Sequence, residues 1–291
     1  MNKLNPVPIP KLREDGIFIY MRKLFSAYRF LNILSIDVAG GAVICALFFA
    51  KIFSVFILPY GLISLGLTVW VIYTADHLVD ARRAQQPAAT ERHRFHQQHF
   101  KLLIVLLVVV VIVDCTQLFF IRKIVFIQGL GLATAIVIYF LLQRYLKFLK
   151  EVIGSLLYCC GVLLIPLSLK NESLNYGQLV LIVQFAITAL INLLLFSWFD
   201  KSQDEQDRHS SFATTLGVGT TKIFLTILFS VQTILTFVQF VDGELRPVLV
   251  LVLMNTLLLF IFIRREYFEA DDRYRLLGDA IFFVPMIYVF I

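Results

Sequence analysis

Apolar residues run along this chain in long continuous blocks, separated by short polar interruptions. Nine blocks stand out, at residues 32–53, 56–77, 100–121, 124–143, 151–170, 177–199, 219–240, 245–263 and 274–291. Each is close to the twenty or so apolar residues that a helix needs to cross the hydrocarbon of a bilayer. The blocks lack the alternation over about ten residues that marks a barrel strand. Inside lipid the backbone has no water to bond, so a continuous apolar block implies a helix. The pattern predicts an all-α, polytopic membrane protein, with a single domain of nine transmembrane helices over residues 31–291. Residues 1–30 differ. MNKLNPVPIPK reads as a short flexible lead, and residues 17–30 as an amphipathic helix lying at the interface. Lys3, Lys11, Arg13, Arg22, Lys23 and Arg29 fall here without a small-residue cleavage site behind an apolar core, so the segment is not read as a cleaved signal.

Composition supports the pattern. Hydrophobic residues make up 59% of the 291 and charged residues only 16%, with a mean hydropathy of +0.83, far outside the soluble range. The net charge of +6 gains meaning only when the charges are placed. With the N-terminus in the cytoplasm, 21 Lys and Arg fall on the cytoplasmic side, in the first thirty residues and the connections at 78–99, 144–150, 200–218 and 264–273 with their flanks. Five, Lys51, Arg122, Lys123, Lys170 and Arg246, fall outside. The positive-inside rule therefore orients the chain as an integral multi-pass protein of a plasma membrane, or a bacterial inner membrane. It also accounts for the basic excess without nucleic acid, for which no motif is present. Cys45, Cys115, Cys159 and Cys160 all lie in predicted spans, with no CxxC, and read as free thiols.

Two of the cytoplasmic connections are longer, and both open on acids. The first reads DHLVDARR from Asp76, the second DKSQDEQDRH from Asp200. Asp76 to Asp200 and Asp80 to Asp204 are equally far apart, with four spans between each pair, as in a duplicated unit. On a helix, i and i+4 share a face, so Asp76 and Asp80 point together, as do Asp200 and Asp204, with Asp207 continuing the second stripe. Like charges at that spacing repel unless a cation sits between them. Hard cations take oxygen ligands, and Mg²⁺ is often held by carboxylates together with phosphate oxygens. Two facing DxxxD helix ends with bases around them thus read as a Mg²⁺-diphosphate clamp. The bland alternative is a pair of solvated loop ends. Two copies on one side of the membrane favour the clamp.

These features resemble the UbiA superfamily of intramembrane prenyltransferases. That family has nine spans, with NDxxDxxxD after the second helix and DxxxDxxxD after the sixth. Here residues 72–80 read IYTADHLVD and residues 196–204 read FSWFDKSQD, so the last two acids of each motif are present. SSFATTLG at 210–217 is similar to the family's segment ending in Leu-Gly, and YFLLQRYLKFLKEVIG at 139–154 to its Tyr, Lys/Arg and Gly pattern. The resemblance implies transfer of an isoprenyl group from its diphosphate to a lipophilic acceptor, such as a quinone-precursor ring, by catalytic and metal-binding Asp76, Asp80, Asp200 and Asp204 with Asp207 auxiliary. Arg83, Lys147 and Arg208 would meet the diphosphate, with Arg82, Arg144, Lys150 and Lys222 as further bases, or all serve only as positive-inside anchors. Tyr73, Trp198, Phe199 and Asn192 would line the substrate's path, or the aromatics are ordinary interface-belt residues and Asn192 an interhelical hydrogen-bond partner. The departures are Ile72 and Tyr73 in place of Asn and Asp, and Phe196 in place of the first Asp of the second motif. They leave open one metal instead of two, an atypical substrate, or a scaffold without turnover. The rival class is a non-catalytic membrane protein that binds a lipid or partner, or a transporter. Transporters favour helices broken near the midplane, for which Gly40-Gly41 and Gly129-Leu130-Gly131 are weak candidates.

Asp37, Asp114 and Asp279 fall within or near spans, where an acid is a functional candidate. Asp37 and Asp279 are expected near the cytoplasmic cavity, and Asp114, on the far side, with a structural partner or exposed to water. His93, His96 and His99 repeat every three residues in ERHRFHQQH. No Cys or acid completes a ligand set, so a solvated cytoplasmic helix is expected there.

Overall fold

The computed structural model describes residues 12–84, 87–242 and 245–291, and among these all regular structure is helical. In chain order the helices are α1 (Leu12–Ile33), α2 (Ile36–Ile52), α3 (Pro59–Arg83), α4 (Glu91–Gln98), α5 (Phe100–Gln117), α6 (Lys123–Leu146), α7 (Leu149–Leu169), α8 (Tyr176–Phe199), α9 (Lys201–Asp207), α10 (Phe212–Asp242), α11 (Leu245–Ile263), α12 (Arg265–Glu269), α13 (Arg273–Ala280) and α14 (Met286–Phe290). Among the described residues, seven of these, α3, α5 to α8, α10 and α11, are long and apolar enough to cross a membrane, and the bent pair α1–α2 makes up to eight. The chain is thus built as an integral, multi-pass membrane protein.

Two of the nine expected blocks are not single straight helices. The first becomes α2, only 17 residues long and entered through a bend of 81° from the end of α1. Ser35 makes that bend in a left-handed conformation, φ 55. The ninth is divided into α13, a 3₁₀ turn at Ile281–Phe283, and α14. Pro285 stands just before α14, where its missing N–H and fixed φ suit a helix start and not a helix interior.

Lipid is as apolar as leucine, so helices in a bilayer associate through close packing and polar contacts. Here α8 is the centre, packed by α7, α10, α11 and α13, and α2 lies against α3, α7 and the Ile281–Phe283 turn. Phe49, Phe185 and Phe282 interlock edge to face, with ring centroids 5.2 and 6.2 Å apart. A polar seam ties α8 to α10 and α11. The Gln232 amide donates to the Gln184 carbonyl at 2.7 Å and to the Thr188 hydroxyl at 3.0 Å, and Asn255 donates to the same hydroxyl at 3.0 Å. At the other side of the bundle, α5 turns nearly all of its surface outward and buries Leu103 alone.

Local breaks shape the end of the bundle that carries the acidic residues. Gly217, φ +85 and ψ 159, interrupts α10 one turn from its start. That region is open to glycine and strained for other residues, which gives the Leu-Gly end of SSFATTLG a structural reason. Gly278 brings α13 against α8. A Cβ there would lie 2.6 Å from both Asn192 Oδ1 and Phe196 Cε1. Gly278→Ala is therefore expected to cost about 1–3 kcal/mol, the usual range for overpacking, and to push Asn192 and Phe196 out of place. A lowered melting temperature in detergent checks this; an unchanged one would show that α13 can shift freely.

Candidate functional site

Asp76 and Asp80 stay helical because α3 continues past its apolar block as far as Arg83, placing both acids one turn apart on one face. In the second half α8 stops at Phe199. Asp200 closes it, its N–H bonded to the Phe196 carbonyl at 2.8 Å, and α9 carries Asp204 onward. Arg208, left-handed at φ 58, ends α9 and turns the chain back toward α10. These two ends meet. Tyr73, Asp76, Asp80, Asn192, Asp200 and Asp204 all line one cavity of about 170 Å³.

The cavity has a polar mouth and an apolar floor. Its deeper wall includes Tyr158, Ala189 and Phe282. Ala189 and Asp200 lie on the same helix, roughly 16 Å apart at 1.5 Å rise per residue, so the cavity runs well into the bundle. Six carboxyl groups line it, Asp76, Asp80, Glu151, Asp200, Asp204 and Asp279, against three permanent cations, Arg92, Lys150 and Arg275. Excess negative charge away from bulk water requires cations, protons or both.

The carboxylates divide by partner. Asp80 faces Lys150 at 3.3 Å and His209 at 3.9 Å. Asp200 accepts from the Tyr274 hydroxyl and from the Arg275 guanidinium. Asp279 shares Arg92, at 3.7 Å, and accepts from Asn32 at 2.7 Å, which also bonds Asp37 at 2.6 Å. Glu151 accepts the Phe212 N–H at 2.9 Å, capping the start of α10. Asp76 and Asp204 have no ion-pair partner among the described residues. Asp76 accepts a neutral hydrogen bond from Gln143 at 2.7 Å. Burial, with Asp200 beside it, pushes the Asp204 carboxyl up to about 7, against the pull of a Ser211 hydrogen bond.

A short helix closes the mouth. α4 is capped by Thr90, whose hydroxyl accepts the His93 N–H at 3.2 Å. Its Arg92 reaches inward to the Asn32 side chain at 2.8 Å and carbonyl at 3.1 Å, and stands 3.3 Å from His77 Nε2. The expectation of a solvated histidine helix is corrected here: Arg92 and His96 are buried and His93 lines the cavity. Burial pulls the His93 imidazole down to about 3, so it is neutral. ERHRFHQQ is polar but for Phe95, and only its docking turns Arg92 and His93 inward. His77 and His209 lie within the two acidic stretches and Tyr274 and Arg275 in the last polar connection, but no spacing singled them out.

Other expected residues lie elsewhere. Asp207 is buried beneath the segment before α4, accepting the Ala89 N–H at 3.2 Å and standing 3.8 Å from His93. Arg83, Lys147 and Arg208 are exposed and do not line the cavity, whereas Lys150 does. Trp198 and Phe199 are buried in the core; Arg265 and Lys222 stack on Trp198, and Tyr274 on Phe199. Asp114 accepts from Thr68 at 2.7 Å, a structural partner of the expected kind.

Among the described residues no three His, Cys, Asp or Glu side chains stand close enough to hold a metal ion together. The donor chemistry nevertheless fits a hard divalent cation, because Asp76 and Asp204 are partly buried carboxylates without an ion-pair partner among the described residues and the cavity lining holds more carboxyl groups than permanent cations.

An all-helical membrane bundle with two acidic helix ends at one polar mouth defines the class. The sequence matches no family model and no curated protein. The fold matches a UbiA homologue from Archaeoglobus fulgidus in two solved structures, one bound to GPP and Mg²⁺ and one bound to DMAPP and Mg²⁺. TM-scores are 0.59 and 0.58 at 13% identity, over 89% of this chain and 100% and 99% of those chains. This chain has the UbiA fold.

The raised Asp204 carboxyl has a signed consequence. A carboxyl raised in the folded state stabilises it at low pH and withdraws that stability as pH climbs from the unfolded to the folded value. In chelator, melting of the wild type is expected to fall between about pH 4 and pH 7 by more than melting of Asp204→Asn. Parallel curves would show that Asp204 ionises without penalty.

Proposed function

We propose that the chain is an intramembrane prenyltransferase. It binds an isoprenyl diphosphate with the head at the mouth and the tail on the floor, and transfers the isoprenyl group to a lipophilic acceptor. The carrying observation is the amphipathic cavity in which both acidic ends meet. An anionic head needs the polar rim, and an isoprenoid tail needs the apolar wall that continues to Ala189 and Phe282. The structural relatives, solved with prenyl diphosphates and Mg²⁺, support this reading.

The chemistry follows from the lining. The bond from C1 of the donor to the diphosphate oxygen breaks, the electron pair leaves with the diphosphate, and an allylic cation remains. Aromatic faces stabilise cations, and Tyr73, Tyr158, Phe196 and Phe282 surround the path. Lys150 and Arg92 hold positive charge at the rim. Burial of the reacting carbon keeps water away from it. Mg²⁺, when bound, would neutralise the diphosphate and make it a better leaving group. Asp76 and Asp204, with Asp80 beside them, are the residues that would hold it. The basic residues that flank the mouth support a cytoplasmic position for it by the positive-inside rule.

Binding of labelled geranyl diphosphate to the purified protein tests the reading. Binding is expected in Mg²⁺, and to weaken by about tenfold or more, at least 1.4 kcal/mol, in chelator or in Asp76→Ala and Asp204→Ala. Wild-type protein that binds no geranyl diphosphate with or without Mg²⁺ would refute it.

A further inference from the structure

Asp200 occupies a position where the UbiA resemblance implies a metal ligand, yet its carboxylate is already used. Its side chain is 5% exposed, Oδ1 takes the Tyr274 hydroxyl and Oδ2 takes Arg275 Nη2. Tyr274 is itself fixed, 2% exposed and stacked on Phe199 with centroids 4.3 Å apart and planes 5° from parallel. A divalent ion at Asp200 would have to break two charge-assisted hydrogen bonds in a buried place, leaving a guanidinium without its counter-ion.

A second observation points the same way. Phe196 stands where the second motif of the resemblance has an acid. The Arg275 guanidinium lies over that ring, 5.3 Å from its centroid. Phenylalanine cannot ligate a metal, but its face suits a planar guanidinium. At the position of that acid the chain therefore offers Arg275 a ring face and no carboxylate. Arg275 lines the cavity, and a guanidinium carries five N–H donors in a rigid fork, so donors remain beyond those facing Asp200. A fork of that kind matches phosphate oxygens.

We infer that Asp200 is the anchor of Arg275 and not a metal ligand, and that Arg275 binds a phosphate group directly in the place of a second metal ion. The phosphate-binding half of this inference rests on the prenyl diphosphate reading; the anchoring half does not. The first half of the chain shows a parallel, with Tyr73 in an acid's position and Lys150 beside Asp80.

The test uses the full chain in detergent, with Mn²⁺ binding followed by electron paramagnetic resonance and geranyl diphosphate binding by calorimetry. Asp200→Asn is expected to keep Mn²⁺ affinity within about threefold and to lose about tenfold or more in geranyl diphosphate affinity, because Arg275 is released. Arg275→Gln should lose a similar factor, again without changing Mn²⁺, and Arg275→Lys should fall between, since an ammonium lacks the planar fork. Asp204→Asn is the contrast and should weaken Mn²⁺ by about tenfold or more. Loss of Mn²⁺ binding in Asp200→Asn, or unchanged geranyl diphosphate binding in Arg275→Gln, overturns the inference. If Asp200→Asn does not fold, the Arg275 variants decide. Wild-type protein that fails to bind geranyl diphosphate removes the prenyl diphosphate reading, while the Mn²⁺ comparison still decides whether Asp200 is a ligand.

Discussion

Placing carboxylates where water is scarce is the constraint on which the acidic end of this bundle depends. A carboxylate away from water is costly unless a cation or donor meets it. The chain meets that demand group by group, drawing on helices distant in sequence. Lys150 comes from α7, Arg275 from α13, Arg92 from α4 and Gln143 from α6. Each such bond also fixes the helix that supplies it. The cluster therefore joins segments that apolar packing in lipid would hold only loosely. It specifies the geometry at the cost of leaving Asp76 and Asp204 incompletely compensated.

The cap illustrates the same logic outside the bundle. α4 has eight residues, too few for a stable helix in isolation. It holds because Arg92 penetrates to Asn32 and His77, Gln97 bonds the Ala81 carbonyl at 2.9 Å, and Arg29 pairs with Glu91. Asp207 receives the Ala89 N–H from the segment just before it. One acid of the second stripe thus supports the cap, not the cavity. That division could not be seen in the spacing, which treats Asp200, Asp204 and Asp207 alike.

What the sequence made legible was whatever depends on runs and periods. Seven of nine helices follow directly from apolar blocks, because a span has a required length and few alternatives. The convergence of Asp76, Asp80, Asp200 and Asp204 followed from the equal spacing of two DxxxD pairs. The illegible parts are those fixed by tertiary contact. The break of the ninth block and the bend at Ser35 depend on how α13 and α2 pack. The inward turn of His93 depends on docking of α4. Tyr274 and Arg275 end a run of acids and bases, RREYFEADDRYR, that reads from sequence as an ordinary cytoplasmic connection. Only the structure shows that two of its residues reach Asp200.

The cavity straddles two solvents. Its rim belongs to the electrolyte and its floor to the bilayer, so a molecule filling it is held by two forces that answer to different variables. Ionic strength screens charge at the rim over about 8 Å near physiological salt and leaves the floor untouched. Each added methylene on the floor contributes about 0.8 kcal/mol relative to water but almost nothing relative to lipid. A molecule stripped of its charged head therefore has no reason to stay. On the prenyl-transfer reading, the hydrocarbon outside the bundle would hold it as well as the floor does, so the floor gives it no retention over the membrane.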